Sequence, residues 1–161
     1  MSEKLSVGRK VNPMLMLGGR ASFAHQDGVA IVVTDVKNWS DAEVLELINE
    51  QAKLVGHVSA KANITHFYGD IFGATHRKLI VDWIEKSGLI ASSRTALVID
   101  SKIMRAALTA YAWLTKTESK AFELKDRKAM CEWIVRDMGV DAAEIKASVE
   151  SCYKLLNKPV D

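Results

Sequence analysis

Short apolar runs rich in β-branched residues alternate with amphipathic helical segments along this chain, and that alternation limits the folds open to it. Residues 29–33 and 95–99 are nearly continuous apolar runs, as in strands that are buried on both faces. Strands separated by helices become parallel neighbours joined by right-handed crossovers. The pattern predicts an α/β domain with its elements in the order β-β-α-β-α-β-α-β-α-α.

The first two strands are predicted to form a hairpin. Residues 21–26 and 29–33 flank Asp27 and Gly28, and an Asp-Gly pair between β-forming runs is a strong signal for a two-residue turn. Three later runs also have strand character, which brings the predicted strands to five. These runs are residues 62–67, 95–99 and 120–124.

Capping residues mark where the helices begin. Ser40 and Glu43 have the spacing of a capping box, in which each side chain accepts a hydrogen bond from the backbone N–H of the other residue. Gly56 is expected to end or loosen the helix that follows. The later helices are predicted to begin at Thr75, Asp100-Ser101, Asp126 and Asp141.

The last two helices carry apolar residues at helical spacing, and we expect these side chains to face the core. They are Ala129, Met130, Trp133 and Ile134 in the fourth helix and Ile145, Val149, Cys152 and Leu156 in the final one.

The length and charge of the chain fit one globular domain without a strong electrostatic bias. A chain of 161 residues with 48% apolar residues is sufficient for one core. We expect residues 1–13 to form a flexible arm and residues 14–161 to form the domain. The 22 basic and 20 acidic side chains leave a formal charge of +2, which gives no electrostatic basis for binding nucleic acid or a membrane surface.

Targeting and cysteine signals favour a cytoplasmic protein. No apolar run reaches the ~20 residues that a membrane span needs, and the stretch 14–17 is shorter than a signal-peptide core. The two cysteines, Cys131 and Cys152, form no disulfide framework, which fits a reducing compartment.

The sequence has no recognisable catalytic, metal or cofactor motif. Gly69 and Gly73 lie between a predicted strand and a helix but lack the lysine and hydroxyl residue of a nucleotide loop. His66, Asp70 and His76 surround the same loop at a spacing that matches no standard zinc site. We expect no catalytic residue, metal or cofactor, and surface or core positions for the histidines. A hydrolase-like enzyme that uses His66, Asp70 and His76 is the lowest-ranked of three functional interpretations, and the other two are described below.

Thr75 is the residue most open to interpretation as a switch. It lies where the second helix is predicted to begin, so the simplest role for its hydroxyl is to cap that helix. A phosphate on Thr75 would meet the positive end of the helix dipole and change the surface charge by nearly two units. The basic side chains of His76, Arg77 and Lys78 follow directly and can support a phosphate.

A small-molecule or lipid-binding module is the second interpretation. Methionine and aromatic side chains can line an apolar pocket, and the candidates are Met14, Met16, Trp39, Phe67 and Phe72. Exposed apolar surface on the amino-terminal arm or the final helix would instead favour a homodimer.

A pattern of core residues extends from residue 62 to residue 135. A strand at 95–101 ends in Asp-Ser, an alanine-rich helix at 104–108 precedes Trp-Leu, and a strand contains Phe122. A helix then ends in Ala-x-x-x-Trp-Ile at 129–134. In this pattern the chain resembles the SpoIIAA-like branch of the STAS-like superfamily.

The resemblance implies a mixed sheet of four to five strands flanked by helices, to which the helix from Asp141 is an addition. It also implies a non-enzymatic regulatory module that binds a protein partner. In bacterial anti-sigma-factor antagonists of this family, a serine in an Asp-Ser-Ser/Thr-Gly motif is phosphorylated and controls association. The corresponding loop here reads Asp-Ile-Phe-Gly-Ala-Thr at 70–75, which makes Thr75 the candidate switch. The expected partner or ligand surface consists of Asp70, Ile71, Phe72, Gly73, His76 and Arg77.

Overall fold

A computed structural model describes residues 10–35, 40–58, 61–68, 94–98 and 118–160. Its strands are β1 (Val11–Met16), β2 (Ala21–Gln26), β3 (Val29–Asp35), β4 (Ala62–Tyr68), β5 (Arg94–Val98) and β6 (Ser119–Phe122). Its helices in the described ranges are α1 (Asp41–Val58), α2 (Arg127–Ile134) and α3 (Ala142–Leu155). The helices predicted to begin at Thr75 and at Asp100-Ser101 lie outside these ranges.

The six strands form one mixed sheet in the order β1-β2-β3-β4-β5-β6. β2 is antiparallel to both β1 and β3, whereas β3, β4, β5 and β6 run parallel to one another. The α/β class and the mixed sheet are confirmed. The predicted number of four to five strands is wrong, because the sheet has a sixth strand.

The additional strand is β1, at one edge of the sheet. Met14 and Met16 belong to β1, where they pair with Phe23 and Ala21 of the neighbouring strand β2. Pro13 has no N–H to contribute to a strand ladder, so it is tolerated only at an edge or an irregularity, and β1 provides both. Residues 11–13 fall within the range that the sequence assigns to an arm, and residues 1–9 lie outside the described part.

Local sequence signals determine the hairpin and the start of α1. Asp27 and Gly28 both have positive φ, at 51° and 86°, as the predicted tight turn requires. The backbone N–H of Glu43 donates to the Ser40 hydroxyl over 3.2 Å, and the N–H of Ser40 donates to the Glu43 carboxylate over 3.4 Å. The capping box is therefore confirmed. α1 continues through Gly56 to Val58, so Gly56 does not end it.

The main core lies between the helices α2 and α3 and one face of the sheet. We call that face of the sheet the α3 face. Alternate strand residues face α2 and α3 because successive strand side chains point to opposite sides. The buried side chains of this core include Ala24, Val29, Ile31, Val33, Ile64, Ala96, Val98 and Phe122 from the sheet, and Met130, Cys131, Ile134, Ile145, Val149, Cys152 and Tyr153 from the helices. A smaller cluster of Phe23, Ala30 and Val32 lies on the opposite face.

The predicted inward faces of α2 and α3 are largely confirmed. Met130 and Ile134 of α2 are buried as expected, as are Ile145, Val149 and Cys152 of α3. Trp133 and Leu156 are half-buried and pack against the same core, whereas Ala129 differs from the expectation because it is exposed.

The two predicted caps behave differently. Asp141 accepts a hydrogen bond from the N–H of Ala143 over 2.9 Å, so it caps α3. Asp126 precedes α2, but its side chain makes no capping hydrogen bond, because a 3₁₀ turn (Leu124–Asp126) leads into that helix.

We expect Gly28→Ala to lower the free energy of unfolding by ~1 kcal/mol, because an alanine Cβ disfavours the positive φ of the turn. A Cβ at this position would approach the Met138 methyl carbon to 3.5 Å, an ordinary contact, so the loss comes from the backbone. Urea denaturation measures it. Gly28→Asn is the matched control and should lose less, since asparagine tolerates positive φ. Equal losses in the two variants would contradict this explanation.

Candidate functional site

The parallel strands direct their carboxyl ends to one edge of the sheet. β3 ends at Asp35, β4 at Tyr68 and β5 at Val98. In open α/β sheets ligands bind outside this carboxyl edge. β4 lies in the interior of the sheet, between β3 and β5, so its carboxyl end at Tyr68 lies near the middle of that edge.

His66 is the last described side chain of β4 that faces α3. It lies between Val33 and Val98 in the register of the neighbouring strands. Its ring Nδ1 shares a hydrogen bond with the hydroxyl of Tyr153, and the two ring centres are 5.4 Å apart. His66 is 2% exposed and Tyr153 is 1% exposed, so both are core residues.

Burial determines the charge of this histidine. Desolvation disfavours the imidazolium form and lowers the pKa of His66 to about 4. The ring is therefore neutral near pH 7. A neutral, fully enclosed imidazole that is held by a tyrosine hydroxyl serves to join β4 to α3.

A second polar link joins the end of α3 to β3. Asn157 has φ of 55°, and its N–H donates to the carbonyl of Lys154 over 3.0 Å. The N–H of Lys158 donates to the carbonyl of Tyr153 over 3.0 Å, which completes a Schellman motif. This turn brings the Lys158 ammonium to the Asp35 carboxylate, with an Nζ–Oδ2 distance of 2.8 Å.

The beginning of α3 is fixed at the opposite edge of the sheet. The Ser148 hydroxyl donates to the Gln26 side-chain oxygen over 2.6 Å, and the Gln26 amide donates to Glu144 over 2.9 Å. Glu144, in the first turn of α3, is therefore bonded to β2. Gln26 precedes the hairpin turn, so α3 spans the α3 face from the amino ends of the parallel strands to their carboxyl ends.

Both cysteines are free and buried in the same core. Desolvation raises the pKa of Cys131 and of Cys152 to about 12. Each thiol is therefore protonated near pH 7, and a protonated thiol is a poor nucleophile and metal ligand. Their role in the described structure is packing.

The structure places only part of the predicted site. His66 and His25 are both buried, in agreement with the expectation of core or surface histidines. Thr75 lies outside the described residues. So does the predicted partner surface of Asp70, Ile71, Phe72, Gly73, His76 and Arg77.

The structure describes the side chains of only two residues of the predicted apolar pocket, Met14 and Met16. Met16 packs beside the Phe23 cluster on the opposite face from His66, and Met14 is 43% exposed at the edge of the sheet. Trp39 and Phe72 lie outside the described residues, as does the side chain of Phe67.

Sequence reasoning missed the residues that complete the bonds of the carboxyl edge. Tyr153 follows Cys152 on the apolar stripe of α3, so helical periodicity could have identified it as buried. Asp35 and Lys158 are 123 residues apart, and neither carries a local signal for the other.

Within the described ranges, no three His, Cys, Asp or Glu side chains come together as a metal site. None of the helices in these ranges has the length and apolarity to cross a membrane. No family model matches this chain, and no curated protein sequence is significantly similar to it.

We expect stability to fall as the pH decreases from 6.5 to about 4. The unfolded chain binds a proton at His66 in this window, whereas the folded chain does not, so protonation favours unfolding. The loss from this one group reaches ~3 kcal/mol. Urea denaturation across the pH range measures it. His66→Gln removes the titrating group and should flatten this part of the profile, and an unchanged slope in the variant would refute the assignment.

Proposed function

We propose that this chain is a non-enzymatic regulatory module that binds another protein at the carboxyl edge of its sheet. The proposed surface is the segment 70–77, with Asp70, Ile71, Phe72, Gly73, His76 and Arg77 as contacts and Thr75 as a phosphorylation switch. The observation that carries the proposal is the position of β4, an interior strand that ends at Tyr68, two residues before this segment.

The use of the described polar groups near this edge supports docking over turnover. His66 is bonded to Tyr153 inside the core, and Asp35 is bonded to Lys158. These groups are engaged in holding α3 against the sheet, and the pKa of His66 is far below the range useful to a general base at pH 7.

The order of the strands supports the family part of the proposal. A mixed sheet with helices packed against it is what the SpoIIAA-like resemblance implies, although this sheet has six strands rather than four to five. The proposal includes a bacterial, cytoplasmic setting, and the free, buried Cys131 and Cys152 are compatible with a reducing compartment.

Capture of the partner tests the proposed surface. The tagged chain, purified from the cells that produce it, should retain a protein, and Phe72→Ala should reduce the retained amount by about tenfold, as expected for an aromatic anchor. Thr75→Glu and Thr75→Ala should differ from each other in retention, because only the glutamate mimics part of the charge of a phosphate.

Lys128→Ala, on the exposed side of α2, is the matched surface control and should leave capture unchanged. Equal retention by the Phe72 variant and the parent chain would exclude this surface. Native mass spectrometry of the same preparation distinguishes the small-molecule interpretation, since a bound small ligand without a protein would contradict the proposal.

The partner in a second form of the proposal is another copy of this chain. Three large apolar side chains are exposed among the described residues, and two of them belong to β1 while the third belongs to α3: Met14 is 43% exposed, Leu15 47% and Leu155 38%. α3 packs against β1, so these residues belong to adjoining elements at one margin of the domain.

Light scattering over a range of concentrations tests self-association. The parent chain should have the mass of a dimer at high concentration, and Leu15→Ser with Leu155→Ser should shift it toward the monomer, because each change removes apolar area from the contact. A monomeric parent chain at every concentration would exclude the dimer, whereas it would leave capture of a different protein possible.

A further inference from the structure

Two strands of the parallel sheet are tied at their carboxyl ends to one short stretch of chain. The side chain of Tyr153 bonds His66 of β4, and the side chain of Lys158 bonds Asp35 of β3. We call Tyr153, Asn157 and Lys158, with their partners His66 and Asp35, the carboxyl clamp. We infer that the carboxyl clamp is a conformational device that couples the end of α3 to the carboxyl edge of the sheet.

The two ties share a rigid connection. The carbonyl of Tyr153 accepts the N–H of Lys158 over 3.0 Å, so the residue that reaches β4 through its side chain also holds the turn that reaches β3. Asn157, with its φ of 55°, permits that turn. Movement of either tie therefore changes the position from which the other one bonds.

The two ties differ in burial, and this difference gives the clamp a direction of opening. His66 and Tyr153 are enclosed in the core, whereas the side chains of Asp35 and Lys158 are 29% and 21% exposed. Beyond Lys158, the Arg127 guanidinium donates to the carbonyl of Val160 over 2.7 Å. The partly exposed bond is the ion pair of Lys158 with Asp35, and the buried one is the hydrogen bond of Tyr153 with His66. Local opening begins at the less buried contacts, so the ion pair is expected to open first.

The clamp acts at the positions where β3 and β4 end. β3 ends at Asp35 and is followed in the chain by α1, and β4 ends at Tyr68. A change at this edge that displaces either strand end should loosen the end of α3, and loosening of α3 should displace the strand ends, because coupling between two sites is reciprocal. The clamp operates in the isolated chain, so its test requires no partner.

Amide hydrogen exchange of Asn157 and Lys158 measures the state of the turn, since both N–H groups are bonded within it. Tyr153→Phe removes only the hydroxyl that reaches β4. It should accelerate exchange at these two amides by about fivefold or more. His66→Gln alters the same tie from the β4 side and should act in the same direction, which provides a second variant if the first fails to fold.

The reverse direction is measured at the imidazole. Lys158→Met removes the ammonium that reaches Asp35, and it should shift the ring ¹⁵N resonances of His66, which report the bond to Tyr153. Lys154→Met is the matched control on the exposed side of the same helix end and should leave these resonances and the two amides unchanged. Val32→Ala, in the cluster on the opposite face, controls for a general loss of stability.

A double variant tests whether the ties act as one unit. If they are coupled, Tyr153→Phe with Lys158→Met should accelerate exchange by a factor that differs from the product of the single effects by more than about twofold. The inference is overturned if the single effects multiply. It is also overturned if Tyr153→Phe and His66→Gln accelerate the Asn157 and Lys158 amides no more than a Val32→Ala variant of equal stability.

Discussion

The packing of α3 across one face of the sheet is the contact on which the rest of the described structure depends. Its apolar stripe covers β2 and β3, and burial of apolar area is the dominant favourable term in folding. This packing excludes water from His66, which sets the protonation state of that residue. It also fixes where the chain beyond the helix can reach, so the bond between Lys158 and Asp35 exists only because α3 is docked.

Polar bonds from the middle and from the end of α3 give this apolar contact a fixed register. Gln26 and Ser148 meet near the amino ends of the parallel strands, and His66 and Tyr153 meet near their carboxyl ends. Apolar packing alone is weakly directional, whereas a buried hydrogen bond that is left unmade is costly. A shift of α3 along the sheet would break both hydrogen bonds. The two bonds therefore select one position of the helix and connect it to the carboxyl edge of the sheet.

The candidate site shows how far local sequence patterns extend. The strand that carries His66 and the helix that carries Tyr153 were both predictable, because alternation and helical spacing are local properties. Their meeting was not predictable, since the two residues are 87 positions apart and no short motif records which strand the helix covers. The proposed partner surface at 70–77 rests on the family resemblance and on the position of β4, which the topology supplies.

The amino-acid sequence is enough to predict the elements whose causes lie within a few residues of one another. The hairpin follows from Asp27 and Gly28, and the start of α1 follows from Ser40 and Glu43, because turn and capping bonds are short-range. The assembled fold was needed to show that residues 11–16 form an edge strand and that Asp35 bonds Lys158. Those outcomes depend on which distant surfaces compete for burial, and that competition is settled only when the whole sheet and its helices assemble.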